Sequence, residues 1–161
     1  MTTTFRAEPI PPDVLAQLRD RDDAGRVPQR VRDTDGGTPL RCCLRLSLPG
    51  EELALLSYAP LRRWSAARGT DPGAFDETGP VFVHPTPCAG YDAEGWPPDL
   101  RGSARVLRGY SATGRIARAV LVPANGPFEA AVNDLHADPV VAVVHARAAD
   151  YGCFTFAVRR S

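Results

Sequence analysis

A clear structural signal in the sequence is Ala104-Arg-Val-Leu-Arg-Gly-Tyr-Ser-Ala-Thr-Gly-Arg-Ile-Ala-Arg-Ala-Val-Leu-Val-Pro123, in which two runs typical of β-strands flank a short turn. The turn is Ala112-Thr113-Gly114. A turn this short joins antiparallel strands, because parallel strands need a long crossover connection. Residues 104–111 and 116–123 are therefore predicted to form a β-hairpin.

Further strands and two helices are predicted outward from this hairpin. Residues 140–147 and 151–158 are predicted to form a second hairpin near the C-terminus. Helices are predicted over residues 12–21 and 127–136, because apolar side chains recur at helical spacing behind a proline in the first turn. Shorter strands are predicted at residues 5–10, 27–32, 40–48, 53–58 and 81–84.

The order of these elements indicates the fold class. Consecutive strands with tight turns, accompanied by two helices, indicate an α+β protein, mainly antiparallel β-sheet with two short helices packed on it. Residues 63–79 and 86–102 are predicted to be long surface loops, the second of them anchored by Tyr91 and Trp96. The length of 161 residues fits a single domain spanning residues 1–161.

The charge balance excludes one broad class of partner. Acidic and basic residues number 19 each, so the net charge is zero, which argues against a nucleic-acid-binding protein. Every basic residue is Arg, as a GC-rich genome favours, and no Lys is available for a Schiff base or a Walker-type loop. All fixed cations are guanidiniums, which suit contact with a carboxylate or a phosphate.

The sequence also predicts a compartment. The N-terminal residues 1–8 lack the basic start and apolar run of a signal peptide, and no apolar run is long enough to span a membrane. We therefore expect a soluble, cytoplasmic protein. Reduced thiols are expected in that setting, and the four cysteines are Cys42, Cys43, Cys88 and Cys153.

Residues 40–48 give the most regular alternation in the chain, and it separates the two adjacent cysteines. On a strand Cys42 shares a face with leucines, which predicts a core position. Cys43 shares the other face with Arg41 and Arg45, whose charges favour a thiolate. Glu51 follows the Pro-Gly turn after this run and is predicted to be exposed.

The strands near the C-terminus suggest a polar face. If a three-residue loop joins the last two strands, Arg147 lies opposite Tyr151 and His145 lies opposite Cys153, whereas a two-residue loop breaks this pairing. In the strand at residues 104–111, Arg108 and Tyr110 share one face.

The most distinctive segment is Gly79-Pro-Val-Phe-Val-His84-Pro-Thr-Pro-Cys88. Pro85 and Pro87 forbid a helix and predict a bend after the strand, which can bring the imidazole and the thiol together. The pair then suits a cysteine nucleophile with a histidine base, or two ligands of a metal. The alternative is structural, with His84 capping a loop carbonyl and Cys88 filling a pocket.

These groups lead to three hypotheses. The first is a small-molecule site for an anionic ligand, with thiol-dependent catalysis. The second is zinc-type metal binding by Cys43, His84, Cys88 and Cys153, although no spacing matches a zinc signature and no residue is assigned as a metal ligand. The third is a non-catalytic protein-interaction module. For the first hypothesis the catalytic candidates are Cys88, His84, Cys43, Cys153 and His145, and the ligand-binding candidates are Arg45, Arg108, Tyr110, Arg147 and Tyr151. Whether the protein is an enzyme, which cofactor it uses and its oligomeric state stay open.

Three phrases resemble a bacterial family, the domain of unknown function 1203 family. They are Pro39-Leu-Arg-Cys-Cys43-Leu-Arg, the His84-to-Cys88 segment, and His145-Ala-Arg147 followed by Tyr151-Gly-Cys153-Phe. The resemblance covers nearly the whole chain and implies a single-domain protein. In the family the first phrase often carries an additional Cys and a His, where this sequence has Leu40 and Cys42, a departure that argues against a metal centred on that phrase. The family implies no activity, substrate or cofactor.

Overall fold

The computed structural model describes residues 4–160, in which eight strands form two antiparallel sheets beside three α-helices. The predicted α+β class is confirmed. Residues 1–3, which belong to the segment in which no signal peptide was expected, lie outside the described residues. The elements are β1 (Phe5–Glu8), α1 (Pro12–Asp20), β2 (Gln29–Asp33), β3 (Glu51–Tyr58), α2 (Pro60–Ala67), β4 (Gly79–Val83), β5 (Arg105–Tyr110), β6 (Ile116–Val122), α3 (Phe128–Ala137), β7 (Val143–Ala148) and β8 (Phe154–Arg160).

The larger sheet contains both predicted hairpins, in the strand order β1-β8-β7-β5-β6. Gly114 lies in the turn between β5 and β6 with φ +81°, a conformation that side chains rarely adopt. A Cβ there would also lie 2.9 Å from Pro72 Cβ. The turn therefore needs glycine for its backbone and for its close contact with the segment after α2.

The smaller sheet, in the order β2-β3-β4, places the candidate site. The central strand β3 starts after the Pro49-Gly50 turn, where Gly50 has φ +82° and the N–H of Glu51 donates to the carbonyl of Leu48 at 3.1 Å. Glu51, the first residue of β3, and Val83, the last of β4, are thus both fixed by the sheet.

The prediction of a strand at residues 40–48 is wrong. This segment, the connecting loop between β2 and β3, forms a turn in which Leu44 has φ 56° and its N–H donates to the carbonyl of Leu40 at 2.9 Å. Leu40 and Leu44 are both buried, but in different hydrophobic clusters. The alternating leucines are therefore explained by a segment that passes between two cores, rather than by a strand with one buried face.

A third helix was not predicted. The predicted loop at residues 63–79 begins inside α2, which starts with Pro60 in its first turn and buries Leu61 and Ser65. Helices α1 and α3 agree with the prediction to within about two residues. None of the helices in residues 4–160 combines the length and apolar character needed to cross a membrane.

Candidate metal centre

Four cysteine and histidine side chains converge beside the end of β4. The sulfur atoms of Cys42, Cys43 and Cys88 and a ring nitrogen of His84 all lie within 4.8 Å of one another. The structure thus brings together three of the predicted site residues and adds Cys42, whose side chain is buried as expected but belongs to this cluster.

Backbone pairing explains why the two parts of the cluster meet. Leu40 forms a parallel β-bridge with Phe82, and the N–H of Arg41 donates to the carbonyl of Phe82 at 3.0 Å. This pairing aligns the connecting loop with β4, so that Cys42 and Cys43, which follow Leu40, lie beside His84, which follows β4. Neighbouring side chains on a strand would point to opposite faces, but Cys42 and Cys43 lie in a turn, and both sulfur atoms face the same ring nitrogen of His84.

The bend predicted at the two prolines is present. No helix or strand covers residues 84–93, and the carbonyls of His84 and Thr86 accept hydrogen bonds from Arg19 at 3.0 and 3.1 Å. These bonds hold the segment against α1 and turn Cys88 back toward His84. The thiol of Cys88 is exposed, whereas those of Cys42 and Cys43 are buried.

The contacts within the cluster are short and mostly polar. The Nδ1 atom of His84 lies 3.3 Å from the sulfur of Cys42 and 3.9 Å from that of Cys43. The backbone N–H of His84 donates to the sulfur of Cys42 at 3.2 Å. This N–H bond favours the thiolate form that binds metals, but the hydrogen bond to Cys43 and burial outweigh it in the metal-free protein.

A carboxylate orients the imidazole from its other side. The Nε2 atom of His84 lies 2.8 Å from Oε2 of Glu51, and Arg45 donates to the same oxygen at 2.8 Å. When Nε2–H donates to Glu51, the Nδ1 lone pair faces the sulfur atoms, as metal coordination by Nδ1 requires. Glu51, which was expected to be exposed, therefore contacts the imidazole of the cluster. No pattern in a single sequence indicates this role.

The two adjacent cysteines have different acidities in the metal-free protein. A hydrogen bond from Cys42 is the main cause that lowers the pKa of Cys43 to about 6, helped by the backbone N–H of Arg45. The same hydrogen bond and burial raise the pKa of Cys42. Hydrogen bonds from Arg45 hold the pKa of Glu51 at about 2. At neutral pH the Cys43 thiolate is therefore favoured within the cluster, and the Glu51 carboxylate beside it is charged.

Cys153 lies outside the cluster, and its predicted pairing with His145 is wrong. His145 pairs with Ala157, and Arg147 pairs with Phe154 rather than with Tyr151. The connection between β7 and β8 covers residues 149–153, and a bulge shifts the register between Ala146 and Arg147. Both features displace the pairing that a three-residue loop would give.

The other predicted site residues also lie apart from the cluster, except Arg45. Arg108 and Arg147 donate to the two oxygens of Glu77 at 2.9 and 3.0 Å, and Arg108 also contacts the hydroxyl of Tyr110 at 3.3 Å. Two of the three predicted anion anchors thus share a carboxylate of the protein itself. Tyr151 is 87% exposed.

His145 lies in the core, between the rings of Tyr110 and Phe154 at centroid distances of 4.9 and 5.1 Å. Its side chain is 1% exposed, and its Nδ1 atom has no hydrogen-bond partner among the described residues. Burial is the main cause that lowers the pKa of His145 to about 3, and the charge of Arg147 adds to it.

We expect His145 to make the protein sensitive to acid. The unfolded chain takes up a proton below the ordinary histidine pKa of 6.5, but the folded protein takes one up only near 3, so stability falls as the pH drops through this interval. For His145→Leu, unfolding by urea at a series of pH values should show a slope shallower by up to about 1.4 kcal/mol per pH unit between pH 6 and 4. Parallel curves for the wild type and the variant would contradict a buried neutral imidazole.

The fold and the cluster define a class: an α+β protein of two antiparallel sheets with a compact thiol–imidazole cluster at the end of a strand. The chain belongs to the family described as protein of unknown function (DUF1203), whose model matches residues 37–160. The matched range includes all four residues of the cluster, and the family resemblance predicted from the sequence is confirmed. Comparison with curated proteins and with solved structures finds no match.

Proposed function

We propose that the protein binds one Zn²⁺ ion through Cys42, Cys43, His84 and Cys88. The supporting observation is the approach of their four donor atoms to within 4.8 Å of one another. Ligands about 2.3 Å from a tetrahedral ion lie about 3.8 Å apart, so the cluster must contract by about 1 Å at most.

The donor types favour zinc over harder cations. Three sulfurs and one imidazole nitrogen form a Cys₃His set, which is typical of structural zinc sites, whereas Mg²⁺ and Ca²⁺ prefer oxygen ligands. Glu51 supplies the carboxylate that commonly orients a zinc-bound histidine, at 2.8 Å from Nε2. The four ligand atoms and the Glu51 carboxylate that orients His84 therefore both match a zinc site.

The role that follows for the metal is structural. Four protein ligands complete a tetrahedron and leave no open position for a substrate. Two ligands come from the connecting loop between β2 and β3, and two from the segment after β4. A bound ion would therefore join two irregular segments, and it requires the reduced thiols that a cytoplasm maintains.

Metal content and coordination test this proposal directly. We expect purified protein to contain about one zinc per chain by elemental analysis, and Co²⁺ substitution to give the thiolate charge-transfer and d–d bands of a tetrahedral site. Cys88→Ser should weaken metal binding by at least tenfold, whereas Cys153→Ser, which changes a cysteine outside the cluster, should leave it unchanged.

Absence of stoichiometric metal, together with a Co²⁺ spectrum that lacks thiolate bands, would overturn the proposal. Equal loss of metal in the Cys88→Ser and Cys153→Ser variants would also contradict it, because only the first variant removes a ligand of the cluster.

The geometry also favours a second candidate, thiol chemistry in the metal-free protein. The thiol of Cys43 contacts the imidazole of His84, which contacts the carboxylate of Glu51, the same chain of contacts that joins nucleophile, base and orienting carboxylate in thiol enzymes. The pKa of Cys43 is also lowered to about 6. Arg45, whose side chain is 37% exposed, lies beside them and suits an anionic substrate. This candidate requires Cys43 to react with iodoacetamide faster than Cys153 in native, metal-free protein. Labelling of Cys43 only after denaturation would exclude it.

A further inference from the structure

A second site is suggested by a cleft of about 850 Å³ that none of the four cluster residues line. It lies between the connecting loop, β4 and the adjoining ends of β5, β7 and β8. Its walls include the apolar side chains of Leu46 and Phe82, and its polar lining includes Arg41, Arg105 and Thr155. The volume is in the range that binds small organic ligands.

Two buried arginines in this cleft form no direct ion pair with the described residues. Arg41 and Arg105 are 5% and 4% exposed, and neither has a carboxylate of the described residues within 4.0 Å. Arg41 donates from Nε to the carbonyl of Phe154 at 2.8 Å and from Nη1 to the carbonyl of Pro39. The Nε atom of Arg105 is buried with no hydrogen-bond partner among the described residues.

This arrangement is unfavourable unless an anion joins it. A buried charge is normally paired, because removal from water is costly and an opposite charge must offset that cost. Burial is the main cause that lowers the pKa of Arg41 to about 10; the interaction with Cys153 opposes it, and the charge of Arg105 adds to it. Burial also lowers the pKa of Arg105, and the more distant charge of Asp150 offsets only part of that effect. Both guanidiniums nevertheless stay charged at neutral pH, so the cleft holds two close cations.

A third donor points to the same ligand chemistry. Thr155 is 2% exposed, and its hydroxyl oxygen is buried with no hydrogen-bond partner among the described residues. Two carboxylates, Asp99 and Asp150, also line the cleft, but both residues are exposed. They accept backbone N–H groups, from Leu46 at 3.4 Å and Tyr151 at 2.8 Å. Negative charge on a ligand is therefore favoured near the buried arginines and disfavoured at the two exposed aspartates.

We propose that Arg41, Arg105 and Thr155 bind the carboxylate or phosphate group of a small organic anion, whose apolar part packs against Phe82 and Leu46. Guanidinium groups match the oxygens of both anions, and the threonine hydroxyl adds a neutral donor. The site is separate from the metal centre and does not depend on the proposed function of the protein.

Ligand-dependent thermal unfolding of the protein as purified tests this site. The probes are inorganic phosphate, phenyl phosphate and benzoate, compared with sodium chloride at equal ionic strength. We expect phenyl phosphate or benzoate to raise the unfolding temperature saturably and more than inorganic phosphate does, because only they fill the apolar part. The stronger of the two identifies phosphate or carboxylate as the preferred group.

Substitutions separate binding from folding. Arg105→Met should raise the unfolding temperature without ligand, because it removes an unpaired buried cation, and should weaken binding at least tenfold. Thr155→Val should weaken binding without loss of stability. Arg108→Met, a control on the same strand whose guanidinium donates to Glu77, should bind like the wild type. No saturable response to any probe, or equal responses in wild type and Arg105→Met, would overturn the proposal.

Discussion

Removal of the proposed zinc ion is expected to lower the midpoint of thermal unfolding by about 8–16 °C. A ligand that binds only the folded state stabilises it by about 4 kcal/mol when its free concentration is a thousand times Kd. For a domain of this size each kcal/mol corresponds to about 2–4 °C. Calorimetry of the protein before and after dialysis against a chelator measures the shift.

Two cysteine variants provide the control for this result. Cys88→Ser should unfold near the temperature of the metal-free protein, and the chelator should hardly change it further. Cys153→Ser retains all four ligands, so it should unfold like the wild type and respond to the chelator in the same way. Metal-loaded protein that unfolds at the same temperature with and without the chelator would contradict a structural metal.

Elements that depend on interactions between neighbouring residues were predicted more accurately than elements that depend on contacts between distant residues. The hairpin of β5 and β6 depends on a turn and on alternation within neighbouring residues, and it was predicted correctly. The connecting loop was predicted as a strand because its leucines alternate, but Leu40 packs in one cluster and Leu44 in another. Alternation shows that side chains are buried, and it does not show whether one core or two cores receive them.

The same distinction applies to the candidate metal centre. The prolines after His84 predicted a bend that can bring Cys88 back toward it, and this prediction concerns only neighbouring residues. The contribution of Cys42 depends on the pairing of Leu40 with Phe82, a contact between distant residues. Cys153 was included because a three-residue loop would place it opposite His145, but the longer connection and the bulge remove this pairing. The unpaired state of Arg105 likewise depends on which carboxylates fold near it.

Trp96 fixes the other end of the segment that carries Cys88. Its ring stacks on Phe128 at a centroid distance of 4.2 Å, contacts the edge of Phe156 at 4.8 Å, and donates from Nε1 to the carbonyl of Leu100 at 3.1 Å. The side chain is 2% exposed, as its predicted role as an anchor requires. Residues 84–93 are thus bounded by the cluster on one side and by the core of the larger sheet on the other.

We expect Trp96→Ala to lower the free energy of unfolding by about 3–5 kcal/mol, because it leaves a cavity between two aromatic rings and breaks a buried hydrogen bond. Urea unfolding followed by circular dichroism measures the change. Trp64→Ala removes the other tryptophan, which is half-buried on α2, and should cost about 1 kcal/mol, so it serves as the control.

If the cluster and Trp96 hold the two ends of one segment, cleavage by protease within residues 84–93 should increase in Trp96→Ala and increase further when zinc is removed. Unchanged cleavage in both states would show that packing of Trp96 and metal binding act on separate parts of the fold.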